Sequence, residues 1–120
     1  MRLSMEDIDI RDNHAYINFG MGGLEIFDVT TPSNPISRST IATTGNGLVL
    51  GVSVADNYAF ITDYTFSKLY VIDVRNKTAP TLAWSYASSA GTLYLHVSGG
   101  FVSMTVEGKG LEVIEAFQFL

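Results

Sequence analysis

The 120-residue chain contains no cysteine, so disulfides, thiolate metal sites, cysteine nucleophiles and thiol redox chemistry are excluded, while the compartment stays open. Charge is sparse. Only 16% of residues are charged, and seven basic residues against twelve acidic ones leave a net charge of −5. The basic residues are scattered along the chain, which argues against a nucleic-acid footprint. No apolar run reaches the roughly 18 residues of a membrane span, and the opening "MRLSMEDIDI" has no apolar signal region, so neither membrane insertion nor a signal peptide is expected. Catalytic signatures are also missing. There is no G-x-S-x-G elbow, and "GMGG" (20 to 23) and "GKG" (108 to 110) do not fit phosphate-binding loops.

What the chain does have is a repeat. "IDIRDNHAYI" from residue 8, "VSVADNYAFI" from residue 52 and "LHVSGGFVSM" from residue 95 open three units, and "LEIFDV", "LYVIDV" and "LEVIEA" follow in each. A period of about 40 to 45 residues with four short strand signals is that of a propeller blade, and the absence of 3.6-residue periodicity excludes a helical solenoid. The expected fold is all-β and β-propeller-like: about three sequential four-stranded antiparallel blades in an incomplete ring. Residues 1–120 form a single repeat domain, with blades at 5–43, 49–88 and 92–120. In the second unit the strands fall at 52–54, 58–62, 69–74 and 81–87. Two-residue turns, Asp12-Asn13, Asp56-Asn57 and Gly99-Gly100, join the first two strands of each unit. Pro32, Pro35 and Pro80 lie in the third-to-fourth turn or just before the fourth strand, where a missing N–H costs least. The third unit ends in "FQFL", so its fourth strand is expected to be short or missing.

The pattern L-x-[IV]-h-[DE] in all three units, with "AYI" or "AFI" upstream in two and proline downstream in two, resembles the LVIVD repeat family over nearly the whole chain. The resemblance implies a β-propeller blade. It also implies a protein exported or displayed at the cell surface of a prokaryote, with no assigned activity. The third unit departs from the pattern, with Ser103 where Tyr16 and Phe60 stand, Glu115 in place of Asp, and no following proline.

Three sets of residues stand out. Asp28, Asp73 and Glu115 end the third strand of each unit; an acid copied into every blade suits a turn acceptor better than a catalytic group. On the first strands the alternating polar positions are Asp7 and Asp9, Gly51 and Ser53, then Tyr94 and His96. They read as a polar channel lining. The alternative is that Asp7, Asp9 and His96 hold a divalent metal such as calcium. The loop face made by the second-to-third and fourth-to-first connections carries the third set, Tyr64, Phe66 and Lys68 with Asn46 nearby, which is material for a binding patch. The functional reading is a non-enzymatic binding or scaffolding module facing a protein or glycan partner, with no cofactor. The alternative is a fragment of a propeller hydrolase or lactonase with a channel-bound metal. Three blades do not close a ring, so further blades are expected from a longer chain, the favoured source, or from self-association.

Overall fold

The structure is a computed structural model that describes residues 5–19, 22–43 and 47–116. Eleven strands follow one another: β1 (Met5–Arg11), β2 (His14–Phe19), β3 (Gly23–Asp28), β4 (Ile36–Ala42), β5 (Val49–Ala55), β6 (Tyr58–Asp63), β7 (Lys68–Asp73), β8 (Thr81–Ala87), β9 (Thr92–Ser98), β10 (Phe101–Val106) and β11 (Gly110–Glu115). No α-helix occurs among the described residues. They form three antiparallel meanders, β1 to β4, β5 to β8 and β9 to β11, as the repeat predicts. The third blade has three strands among the described residues, and the "FQFL" segment, at 117–120, lies outside them.

Local chemistry sets each blade. The two-residue turns carry positive φ at Asp12, Asn13, Asp56, Gly99 and Gly100, so the residue types read from the sequence match the hairpin geometry they must adopt. Pro35 and Pro80 sit immediately before β4 and β8, outside the ladder. Each first strand has a bulge at the same repeat position, between Met5 and Asp7, Val49 and Gly51, and opposite Met104 to Val106. The bulge N–H is taken by a side chain: Asp7 N–H donates to Asn18 Oδ1 at 2.9 Å, Gly51 N–H to Thr62 Oγ1 at 3.0 Å, and Tyr94 N–H to Thr105 Oγ1 at 3.0 Å.

Strand alternation gives each blade two faces, here called front and back. The back of the first blade (Tyr16, Leu24, Ile26) meets the front of the second (Val52, Val54, Ala59, Ile61, Ile72, Val74) in one core. The back of the second (Phe60, Leu69, Val71) meets the front of the third (Val102, Met104, Val106, Ala116) in another. Full burial of each Leu, Ile or Val contributes about 1.5–3 kcal/mol. The front of the first blade and the back of the third face no blade, and the ring is open.

Candidate functional site

The two connections expected to share a face are tied together there. Tyr64 N–H donates to Leu48 O at 2.8 Å, and Leu48 N–H donates to Thr65 Oγ1 at 3.1 Å. Within the turn, Phe66 N–H donates to Asp63 Oδ1 at 3.0 Å, Ser67 holds a φ of 55°, and Ser88 N–H donates to Ser67 O at 2.8 Å. The turn backbone is therefore fixed at several points. From it the Phe66 ring projects with 48% of its surface exposed.

Tyr64 does something different. Its hydroxyl donates to Glu107 Oε2 in the β10–β11 connection, and that bond to a carboxylate holds the phenol above its ordinary pKa. Its ring lies against Gly91, where a Cβ would fall 2.7 Å from two ring carbons, so glycine is needed for the close approach. Tyr64 thus bridges the second blade to the third. Lys68 is half-buried at the start of β7. Asn46 lies outside the described residues.

Beneath the turn is a residue that the sequence reading did not single out. Asp63 is fully buried, and burial pushes its carboxyl above the usual carboxylate range against the pull of the Phe66 and Thr65 N–H groups, the Lys68 charge and the Tyr70 hydroxyl. Its Oδ2 has no hydrogen-bond partner among the described residues. The signal was available: the last residue of the second strand is Phe19 in the first blade and Val106 in the third, so an acid there breaks the repeat.

Three of the polar residues on the first strands make contacts between blades. Asp7 and Asp9 turn to the neighbouring blade: Val52 N–H donates to Asp7 Oδ2 at 3.1 Å and Val54 N–H to Asp9 Oδ2 at 2.7 Å. Their other oxygens accept the N–H groups of Ile8 and Ile10, each at 2.9 Å. Ser53, the repeat equivalent of Asp9, accepts Val97 N–H at 3.1 Å. These side chains are clasps between successive blades. His96, the third equivalent, is exposed on β9, and β5 packs between β1 and β9. Among the described residues no three His, Asp or Glu side chains come together as a metal-binding group.

Asp28 and Asp73 cap the turns that follow them, accepting Thr30 N–H at 2.9 Å and Arg75 N–H at 3.0 Å. The Thr30 bonds hold Asp28 below its ordinary pKa. Glu115 has the same register, pairing with Phe101 as Asp28 pairs with His14 and Asp73 with Tyr58, while the chain beyond Ala116 lies outside the described residues.

The family model described as "LVIVD repeat" matches residues 4–43 and 46–88. No curated protein matches the chain. Among solved structures, Kuenenia stuttgartiensis hydrazine synthase is similar at 11% identity over 98% of this chain and 34% of that one, TM-score 0.84. The computationally designed Ika8 protein is similar at 9% identity over 98% of this chain and 35% of that one, TM-score 0.79. The β-propeller domain of Myceliophteria thermophila Cps50 (Swd1) is similar at 12% identity over 94% of this chain and 40% of that one, TM-score 0.73. The chain spans about a third of the length of the first two. At these identities the likeness is one of fold.

Proposed function

This chain belongs to the LVIVD repeat family, and we propose that it is a non-enzymatic binding or scaffolding module of β-propeller blades whose loop face engages a protein or glycan partner. The observation that carries the reading is Phe66: a half-exposed aromatic ring on a turn whose backbone is pinned by Asp63, Leu48 and Ser88. A rigidly held aromatic gives contact area with little ordering cost on binding. Tyr64 belongs to the same turn but serves the junction with the third blade, so its loss would confound binding with folding. The role of Asp7 and Asp9 as blade clasps further supports a module without a channel metal centre.

The test uses Phe66→Ser alone. A photoreactive phenylalanine analogue placed at position 66 should cross-link the partner, and glycan-array or partner binding should fall about tenfold or more in Phe66→Ser with the melting temperature unchanged. Retention of full binding by Phe66→Ser would remove the loop face from the reading.

A further inference from the structure

The two uncovered faces of the molecule are not ordinary surface, because each has repeat equivalents that are buried inside it. On the front side, Ile8, Ile10, Ala15, Ile17, Phe27 and Val29 occupy the positions that Val52, Val54, Ala59, Ile61, Ile72 and Val74 occupy in the second blade. The second-blade set packs on the back of the preceding blade. In the first blade the same set leaves Ile8 52% and Ile10 62% exposed and lines an open apolar groove of about 540 Å³. On the back side, Leu111 and Val113 of the third blade are 61% and 50% exposed, whereas their equivalents Leu69 and Val71, and Leu24 and Ile26, are fully buried against a following blade.

We propose that the back of the third blade docks on the front of the first blade of a second copy of this chain, so that two copies close one six-bladed ring. Three arguments select a second copy. The first is continuity: the docking would repeat, position for position, the two blade junctions already present in the molecule.

The second argument is size. In the existing junctions the back-face middle strand supplies an aromatic (Tyr16, Phe60) and the facing front supplies isoleucine (Ile72, Ile114). In the open pair the sizes are exchanged, with Ser103 on the back and Phe27 on the front. The volume missing from one face is present on the other, as close packing requires.

The third is count. Propellers close with about four to eight blades. The described residues of one copy form three blades, so two copies together supply six, a number within that range. A two-fold axis along the ring centre makes both junctions at once, which is how a heterologous interface closes instead of growing into a filament.

The polar clasps follow the same rule. At the second junction Thr62 Oγ1 donates to Leu93 O of the third blade at 2.6 Å. Its equivalent Thr105 accepts Tyr94 N–H at 3.0 Å, and its hydroxyl donates no closer than 3.4 Å, to Tyr94 O on the neighbouring strand of its own blade. In the ring its hydroxyl turns to the carbonyl of Glu6 in the second copy, the residue at the matching bulge. His96, in the position of Asp9 and Ser53, presents a ring nitrogen to Ile10 N–H of that copy, which then shares its proton between His96 and its own Asp9.

Light scattering after size exclusion, at micromolar concentration, tests this on the whole chain. The wild type is expected at twice the chain mass. Ile10→Asp and Leu111→Asp change exposed side chains and so keep the fold, checked by circular dichroism; each alone should be monomeric, with dimer affinity lowered at least about tenfold. Mixed in equal amounts, the two variants retain one sound pair of faces and should associate with each other, more weakly than the wild type because one junction stays open. A wild-type monomer overturns the proposal and leaves these faces to other blades. Loss of association in Ile10→Asp with none in Leu111→Asp would mean front-to-front pairing and also overturn it.

Discussion

The central blade and the end blades carry the same sentence in different surroundings. In β7, Leu69, Tyr70, Val71 and Ile72 are all essentially without solvent contact, because one alternating set faces the first blade and the other faces the third. In β11 the matching Leu111 and Val113 are exposed, while Glu112 and Ile114 are covered only on the side of the second blade. The backbone is strand in both. The repeat therefore fixes conformation, and the neighbour fixes burial. An L-x-[IV]-h-[DE] run is hydrophobic on both faces because a blade inside a ring has two neighbours, which is the situation where near-continuous apolar strands are expected.

The comparison breaks most visibly by truncating the same kind of side chain in both places. Ile72→Ala, in the centre, should cost about 2–5 kcal/mol, since it opens a cavity between two packed sheets. Val113→Ala, half-exposed in the end blade, should change stability by no more than about 0.5 kcal/mol in the monomer. Denaturant titration of both variants decides it. Equal losses would mean that the end blade is as well covered as the centre.

Legibility in the sequence follows the same division. Sequence pattern places β8 residue for residue and β5 to β7 within three residues, because strand alternation and turn chemistry act over a few neighbours. The turn role of Asp28 and Asp73 was legible for the same reason: the acceptor and the N–H it serves lie two residues apart. The clasps were not. Asp7 and Val52, like Asp9 and Val54, are 45 residues apart, and alternation reports that Asp7 and Asp9 share a face without saying what that face meets. Tyr64 and Glu107, 43 apart, failed to register for the same reason. Asp63 does not belong to the repeated pattern: it stands where the other units have Phe19 and Val106, and a residue that interrupts a repeat carries more information than those that keep it.

A smaller effect sharpens the junction between centre and end. Glu112 accepts Tyr86 O–H from the second blade and Ser88 Oγ at 2.8 Å, with Lys109 Nζ 3.8 Å away. The Tyr86 bond is the main reason its carboxyl lies below the ordinary range, with the Ser88 bond and the Lys109 charge adding to it against partial burial. A depressed folded-state pKa means that the contribution is complete above the unfolded value and lost as pH falls through the folded one. The wild type should therefore lose melting temperature on acidification through the carboxylate range more steeply than Glu112→Gln, with hydrogen exchange rising first in β9 to β11. Parallel pH profiles for the two proteins would show that this pair does not hold the end blade.

The smallest effect concerns the polar intruder in the centre and has the opposite sign. Asp63 has a raised folded-state pKa because burial penalises the charged form more than the Phe66 and Thr65 N–H groups, Lys68 and the Tyr70 hydroxyl favour it. For such an acid the favourable contribution is complete below the unfolded pKa and is lost as pH rises through the folded one, so at neutral pH the carboxylate is a burden on the core. Asp63→Asn removes the charge and keeps an oxygen for Phe66 N–H, but it puts an amide N–H₂ where Oδ2 had no partner among the described residues. A buried unsatisfied donor costs about 1–3 kcal/mol, which offsets much of the gain. The expected outcome is a rise in stability of under about 1 kcal/mol at neutral pH that shrinks on acidification and reverses once the wild-type acid is protonated. Thermal melts of both proteins across that range measure the difference, and a difference that stays constant with pH would show that Asp63 keeps its ordinary hydration in the folded chain.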